Sequence, residues 1–176
     1  MLNTANKVAT GSKLTAVADA SFVIGISLCQ QWDTLEVLVE NLIIADKVWE
    51  EIVERGEGQP GEKELRQATF VGRRTVSNTS AVTMLMATLD AGEAETLVLA
   101  TELSVTKVFV DDLRGRKVAQ SLGLQVVGVA GFLLFAKKKG KIREVRPLLL
   151  QLLQKGFRLS NRLIDAVLEE AGETLL

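Results

Sequence analysis

At 176 residues the chain is long enough to bury one sizeable core, and with 47% apolar and 24% charged residues it is not a disordered polymer. A net charge of −1 supplies no general field for nucleic acid, so such binding has to rest on local patches. There is no histidine and a single cysteine, Cys29, which excludes an internal disulfide and a Cys/His zinc site. No apolar run approaches the ~20 residues of a membrane span, and residues 1–13 lack the apolar core of a signal peptide. A cytoplasmic protein with no membrane partner is expected, with acidic side chains best suited to carry its chemistry.

Residues 1–13 read as a flexible N-terminal tail and 14–176 as a single domain. The first strand is expected over 14–18, followed by an apolar helix from Phe22 to Leu28. Trp32, Leu35, Val39 and Leu42 have helical spacing, and Leu42 to Ala45 is a short apolar run suited to a buried parallel strand. Asp46 reads as the N-cap of a helix carrying Val48, Trp49, Ile52 and Val53, which Gly56 to Gly61 and Pro60 break. A short helix over 62–69, a third strand over 74–77 and a helical or buried apolar stretch over 81–89 come next. Gly92 precedes a strong helix, 93–103, with Ala94, Leu97, Val98 and Leu103 inward. The unit 107–128 reads as strand, Arg-rich helix, Gly123 and strand, and such alternation predicts a parallel sheet with helices on both faces. The last third is helical: Pro147 suits a first turn before Leu148, Leu149, Leu152 and Leu153, and Ser160 caps a final helix that ends at Gly172.

Asp19 ends the first strand and Asp111-Asp112 ends a later one, which in a parallel sheet brings them to the carboxyl edge, where open α/β folds place their ligand crevice. With Glu50-Glu51 and the pair Glu93 and Glu95 they make four acidic clusters, a donor set suited to hard divalent cations. Several carboxylates around one or two such ions can support phosphodiester hydrolysis. Glu93 and Glu95, two residues apart on a helix, point in different directions, and Glu93 also suits the positive end of that helix. Asp19, Asp111 and Asp112 read equally as helix caps. Arg114, Arg116 and Lys117 follow the acidic strand end, where they could meet a phosphate. The run Lys137, Lys138, Lys139, Lys141, Arg143 and Arg146 is a second basic patch open to RNA or simply a solvated helix end. Trp32 and Trp49 read as core.

Val17-Ala18-Asp19-Ala20-Ser21, Val48-Trp49-Glu50-Glu51-Ile52, Leu89-Asp90-Ala91-Gly92-Glu93-Ala94-Glu95 and Val110-Asp111-Asp112-Leu113-Arg114-Gly115-Arg116 occur in the order seen in PIN-domain proteins. With the tail from Leu133 to Gly172, the chain resembles a prokaryotic PIN-like branch related to VapC-type ribonuclease toxins, over about residues 14–172. The resemblance implies a three-layer α/β/α sandwich with a central, mostly parallel sheet and a helical C-terminal part. It implies RNA hydrolysis dependent on Mg²⁺ or Mn²⁺, with Asp19, Glu51, Glu95 and Asp111 as catalytic residues and metal ligands, and Ser21, Glu93 and Asp112 in support. Glu51 fits the pattern better than Glu50 because an aliphatic residue follows it. Glu95 stands where many relatives have aspartate, which lengthens the ligand arm, and Ala20 stands where threonine is common. A homodimer and a small antitoxin partner are further implications. Two alternatives are a non-catalytic PIN-like module that grips RNA or a protein, and, more remotely, a receiver-like phosphoacceptor.

Overall fold

The first strand, β1 (Leu14–Ala18), buries Ala16, Val17 and Ala18 completely, as expected of a strand covered on both faces. The computed structural model describes residues 14–175, so the tail expected over 1–13 lies outside the described residues. β1 is the centre of a five-stranded, all-parallel sheet of order β3-β2-β1-β4-β5, with β2 at Val39–Ala45, β3 at Val71–Arg74, β4 at Lys107–Phe109 and β5 at Gln125–Val127. The chain grows outward from β1 to β2 and β3, then returns to the other side of β1 for β4 and β5. That reversal makes a topological switch point between β1 and β4. Ala18 pairs in register with Ile44 and Phe109, and the Asp19 N–H donates to the Phe109 carbonyl at 3.0 Å. The segments leaving β1 and β4 therefore emerge side by side.

The helices, in chain order, are α1 (Ala20–Leu28), α2 (Trp32–Leu38), α3 (Asp46–Trp49), α4 (Glu62–Gln67), α5 (Thr79–Leu85), α6 (Ala91–Glu102), α7 (Leu113–Ser121), α8 (Val129–Lys138), α9 (Arg146–Gln154) and α10 (Asn161–Ala171). α6 lies across β1, β2 and β4, burying Ala94, Leu97, Val98, Leu99 and Ala100, and α3, α5 and α7 pack against it. In the other layer α1 packs on α8 and α9, and α8 on α10. Phe22 of α1 stacks on Phe109 of β4 at 4.4 Å, and Phe132 of α8 meets both rings at 5.9 and 6.0 Å. This aromatic cluster seats the start of α1 under the switch point. The three-layer α/β/α architecture implied by the resemblance is the one found. No helix among the described residues is long and apolar enough to cross a membrane.

The local differences have physical reasons. α2 stops at Leu38 and β2 begins at Val39, because pairing with β1 captures Val39 and Leu42, whose spacing also suits a helix. The third strand lies at 71–74 rather than 74–77; it is an edge strand, half-exposed along its length, and carries little apolar signal. Asp46 is the first residue of α3, not its cap, and its carboxylate pairs with Arg73. α5 is helical but only partly buries Ala81, Val82 and Leu85, leaving Met84 77% and Met86, just beyond it, 50% exposed, and Leu103, expected to face inward, is 41% exposed just beyond α6. Trp32 and Trp49 pack against the core as expected, only partly buried.

Candidate active site

Asp19 is 2% exposed and occupies the N-cap of α1, where its Oδ1 accepts the Phe22 N–H at 2.8 Å. The Ser21 hydroxyl lies 2.8 Å from both Asp19 carboxylate oxygens. No lysine or arginine pairs with it among the described residues. Burial pushes the Asp19 carboxyl up to about 8; the bonds from Phe22 and Ser21 oppose this, and the charges of Asp111 and Glu93 add to it. Cap and site are thus the same residue.

Two more carboxylate-capped helix ends meet Asp19. Asp90 caps α6 through the Glu93 N–H at 2.8 Å, and the Glu93 carboxylate accepts the Asp90 N–H at 3.1 Å, a reciprocal capping box. Asp112 caps α7, accepting the N–H groups of Arg114 and Gly115 at 2.7 and 3.3 Å. The fifth carboxyl, Glu51, comes from a π-turn, Glu50–Glu54, that continues α3 and is followed by Arg55 and Gly56. A Cβ on Gly56 would approach the Ile52 carbonyl to 2.5 Å, so only glycine lets the chain leave there. Single π-turns within helices often mark functional positions.

Together these residues line a cleft of about 240 Å³, with Asp19, Ser21, Glu51, Asp90, Glu93 and Asp112 as its polar wall and no basic side chain. Glu51 and Glu93 are also held above the ordinary carboxyl range, first by burial, with the Asp90 charge adding to both and Asp112 to Glu93. The positive ends of α1, α6 and α7 offset part of this negative charge.

Of the four ligands implied by the resemblance, Asp19 and Glu51 line the cleft, while Glu95 and Asp111 do not. Glu95 instead accepts the Lys47 N–H at 2.9 Å, holding the start of α3. Successive helical residues turn by about 100°, so Glu93 and Glu95 face opposite ways. Asp111 turns to the start of α8, accepting the Val129 N–H at 3.0 and 3.1 Å, and its neighbour Asp112 enters the cleft. Burial raises the Asp111 carboxyl to about 6, against the Val129 N–H and Arg116. Ser21 Oγ reaches toward it, accepting the Asp111 N–H at 3.4 Å. Glu50 pairs with Lys47 at 2.7 Å outside the cleft. Asp90 was not singled out from the sequence, although the spacing Asp90-Ala91-Gly92-Glu93 is a capping-box signal that could have found it.

Among the described residues no three acidic side chains converge closely enough to hold a metal ion in the positions they occupy. The donor chemistry nevertheless fits a hard divalent cation: all-oxygen ligands, no competing base, and a buried Asp19 without a counter-charge.

Arg114 lines a depression on one side of the cleft with Asp90, Glu93 and Asp112, and Arg116 lines a groove on the other. Lys117 is exposed on α7 and lines neither. The second basic run is placed differently. Lys137 donates to the Ala171 carbonyl at 2.8 Å and to Glu173 at 2.6 Å, Lys138 pairs with Glu170, and Lys139 lies 5.6 Å above the Phe135 ring. Lys137 is eight residues along α8 from Val129, which at the helical rise is roughly 12 Å from the cleft end. Lys137 and Lys138 tie α8 to the end of α10, and Lys139 covers a ring of its own helix.

A family model for the PIN domain matches residues 15–173. No curated protein and no solved structure matches the chain. With that match spanning nearly the whole chain, and with a parallel sheet whose switch point opens onto an acidic cleft, the chain belongs to the PIN-domain family, a fold of the nuclease type.

Proposed function

We propose that this protein is a metal-dependent ribonuclease. The observation that carries the reading is the buried, unpaired Asp19 at the centre of a cleft walled by Glu51, Asp90, Glu93 and Asp112. Asp19, Glu51, Glu93 and Asp112 would hold Mg²⁺ or Mn²⁺. Bound there, the cation supplies Lewis acidity toward a phosphodiester and toward water. Ser21 keeps the Asp19 carboxylate oriented, and Asp90 fixes Glu93 through their reciprocal bonds. Asp19 must lose its proton to serve as a ligand, so loading strengthens as pH rises toward 8. Arg114 and Arg116, on either side, are suited to the flanking phosphates. Hydrolysis adds the water's hydroxyl to phosphorus, breaks one P–O ester bond and sends the proton to the leaving oxygen.

The test is cleavage of RNA with Mg²⁺ or Mn²⁺ by wild type and by Asp19→Asn. A loss of about 100-fold or more is expected; equal rates reject the mechanism.

The wider spacing of the acids, with Glu95 and Asp111 turned aside, favours a second reading: a PIN-like module that binds RNA or a protein without cutting it. Calorimetric titration with Mg²⁺ separates the two, since a pure binder needs no such site. A cytoplasmic toxin role, with a small antitoxin covering the cleft, rests on the family resemblance, and a neighbouring antitoxin-like reading frame is its test. A homodimer would cover the exposed Met84 of α5 and Met86 just beyond it, and light scattering in solution checks it.

A further inference from the structure

The acidic cleft does not end at its own wall. Ser21 and Asp112 also line an adjoining groove of about 560 Å³, whose far side is the loop between α9 and α10, with Phe157, Arg158 and Ser160. Nothing in the nuclease reading above uses that loop, yet it is firmly built. Gly156 turns the chain at φ 80, the Phe157 N–H donates to the Leu152 carbonyl at 2.9 Å, and Ser160 caps α10. The Phe157 ring is seated on α1 at Gly25, where a Cβ would come within 2.9 Å of the ring and 2.5 Å of Val129. Lys155 is committed, donating to the Leu28 carbonyl at 2.7 Å at the end of α1. Arg158 is not. It is exposed on this anchored loop and makes no hydrogen bond or ion pair among the described residues.

Arg116 faces the same groove from α7, with a long contact, 3.4 Å, to the Val110 carbonyl and no ion pair among the described residues, although its charge acts on nearby Asp111. The two acids that share the groove are engaged elsewhere: Asp111 by the Val129 N–H and Asp112 by the N–H groups of Arg114 and Gly115. The groove therefore offers one uncommitted guanidinium group, Arg158, and a second, Arg116, only loosely held beside Asp111, next to a cleft that has none.

We infer that this groove is a phosphate-holding subsite, in which Arg158 and Arg116 grip the RNA backbone next to the bond in the acidic cleft and so position the strand. The inference rests on the nuclease reading for its substrate. Guanidinium groups suit this task because they present several donors to one phosphate. Arg158 is a positioning residue: it touches the strand beside the reacting phosphate and takes no part in bond cleavage.

The experiment measures binding of a short fluorescein-labelled single-stranded RNA by anisotropy in Mg²⁺ across a salt series, using Asp19→Asn protein so that the probe survives. Adding Arg158→Gln is expected to weaken binding roughly 5- to 10-fold, since a charge-assisted contact is lost. The slope of log K against log salt should become shallower by about 0.7, the value of one phosphate contact on a single strand. Arg158→Lys should recover most of the affinity, and Lys139→Gln, at the far end of α8, should change neither quantity. In the cleaving protein the loss from Arg158→Gln should fall on KM more than on kcat. Melting temperatures of Arg158→Gln and its parent should agree, because the side chain has no partner to lose. An RNA affinity and salt slope untouched by Arg158→Gln overturn the subsite while leaving the nuclease reading standing. RNA that binds through Arg158 but is never cut by the wild type refutes the nuclease reading and keeps the subsite. A wild type that neither binds nor cuts RNA removes both.

Discussion

The two ends of this molecule concentrate charge in opposite ways. At the carboxyl edge of the sheet, five carboxyl groups surround one cleft with no cation among them, and burial of Asp19 leaves its carboxyl at about 8. At the far end of α8, Glu173 is part-buried, and it accepts the Lys137 ammonium at 2.6 Å, the Val145 N–H at 2.7 Å and the Arg146 N–H at 2.8 Å. Burial pulls Glu173 upward too, yet those three bonds outweigh it and its carboxyl falls below the usual range. The buried acid is hydrogen-bonded but left without a cationic partner among the described residues, and the part-buried one is held by a lysine and two backbone N–H groups. The first arrangement suits a site that needs a ligand, the second a joint between helices.

The largest effect that could break this comparison is at Asp19. Asp19→Asn should abolish metal-dependent RNA cleavage while raising the melting temperature of the metal-free protein near pH 8, because the buried charge disappears. An unstabilised variant would mean that Asp19 is not strained in the empty cleft. Next comes the acid pair on α6. Glu93→Gln should reduce cleavage by about 10- to 100-fold, as expected for a group holding or orienting a ligand. Glu95→Gln should leave cleavage within about twofold and cost about 1 kcal/mol of stability, the worth of one helix-capping bond. The reverse ranking would restore Glu95 to the site.

Glu173→Gln should lower stability by about 1–3 kcal/mol in chemical denaturation, with cleavage unchanged, since three bonds at the start of α9 and to Lys137 are weakened. The same contrast appears as a difference in pH slope. Asp19 is raised from 3.8 to about 8, so between those values the folded chain holds a proton that the unfolded chain has released. Stability of the metal-free protein should therefore fall as pH rises through that window and level off above it, with Asp111 adding the same sign up to about 6. Glu173 acts in the other direction: its contribution is present above its unfolded value of 4.5 and is lost on acidification below it. Melting curves with EDTA across pH, compared with Asp19→Asn and Glu173→Gln, should show each slope reduced separately, the Asp111 share remaining below about 6, and saturating Mg²⁺ should flatten the first.

Much of the fold was legible because it depends on local pattern. The apolar run before Asp19, the strand–helix–strand unit from 107 to 128 and the Ser160 cap are short-range signals, and each element is found where expected. The PIN resemblance rested on acids in a particular order and agrees with the family match over 15–173. The helix and strand at 39–42 were misdivided because Val39 and Leu42 satisfy both periods, and only pairing with β1 decides between them. The apolar stretch at α5 gave no sign that Met84 and Met86 would remain uncovered while Ala81, Val82 and Leu85 pack on the core, since exposure depends on what packs against it.

The candidate site divides along the same line. From the sequence alone it followed that carboxylates end β1 and β4 and begin the helices beyond them, because capping and strand endings involve neighbours a few residues apart. Which member of each acidic pair enters the cleft could not follow from spacing. Glu93 rather than Glu95, and Asp112 rather than Asp111, depends on the rotation of α6 against the sheet and on α8 arriving to claim Asp111. The fate of Lys137 and Lys138 was decided by partners 32 to 36 residues away at Glu170 and Glu173. Local backbone chemistry set where the acids stand along the chain, and long-range packing, which alone brings distant charges within a few ångströms, set which of them face one another.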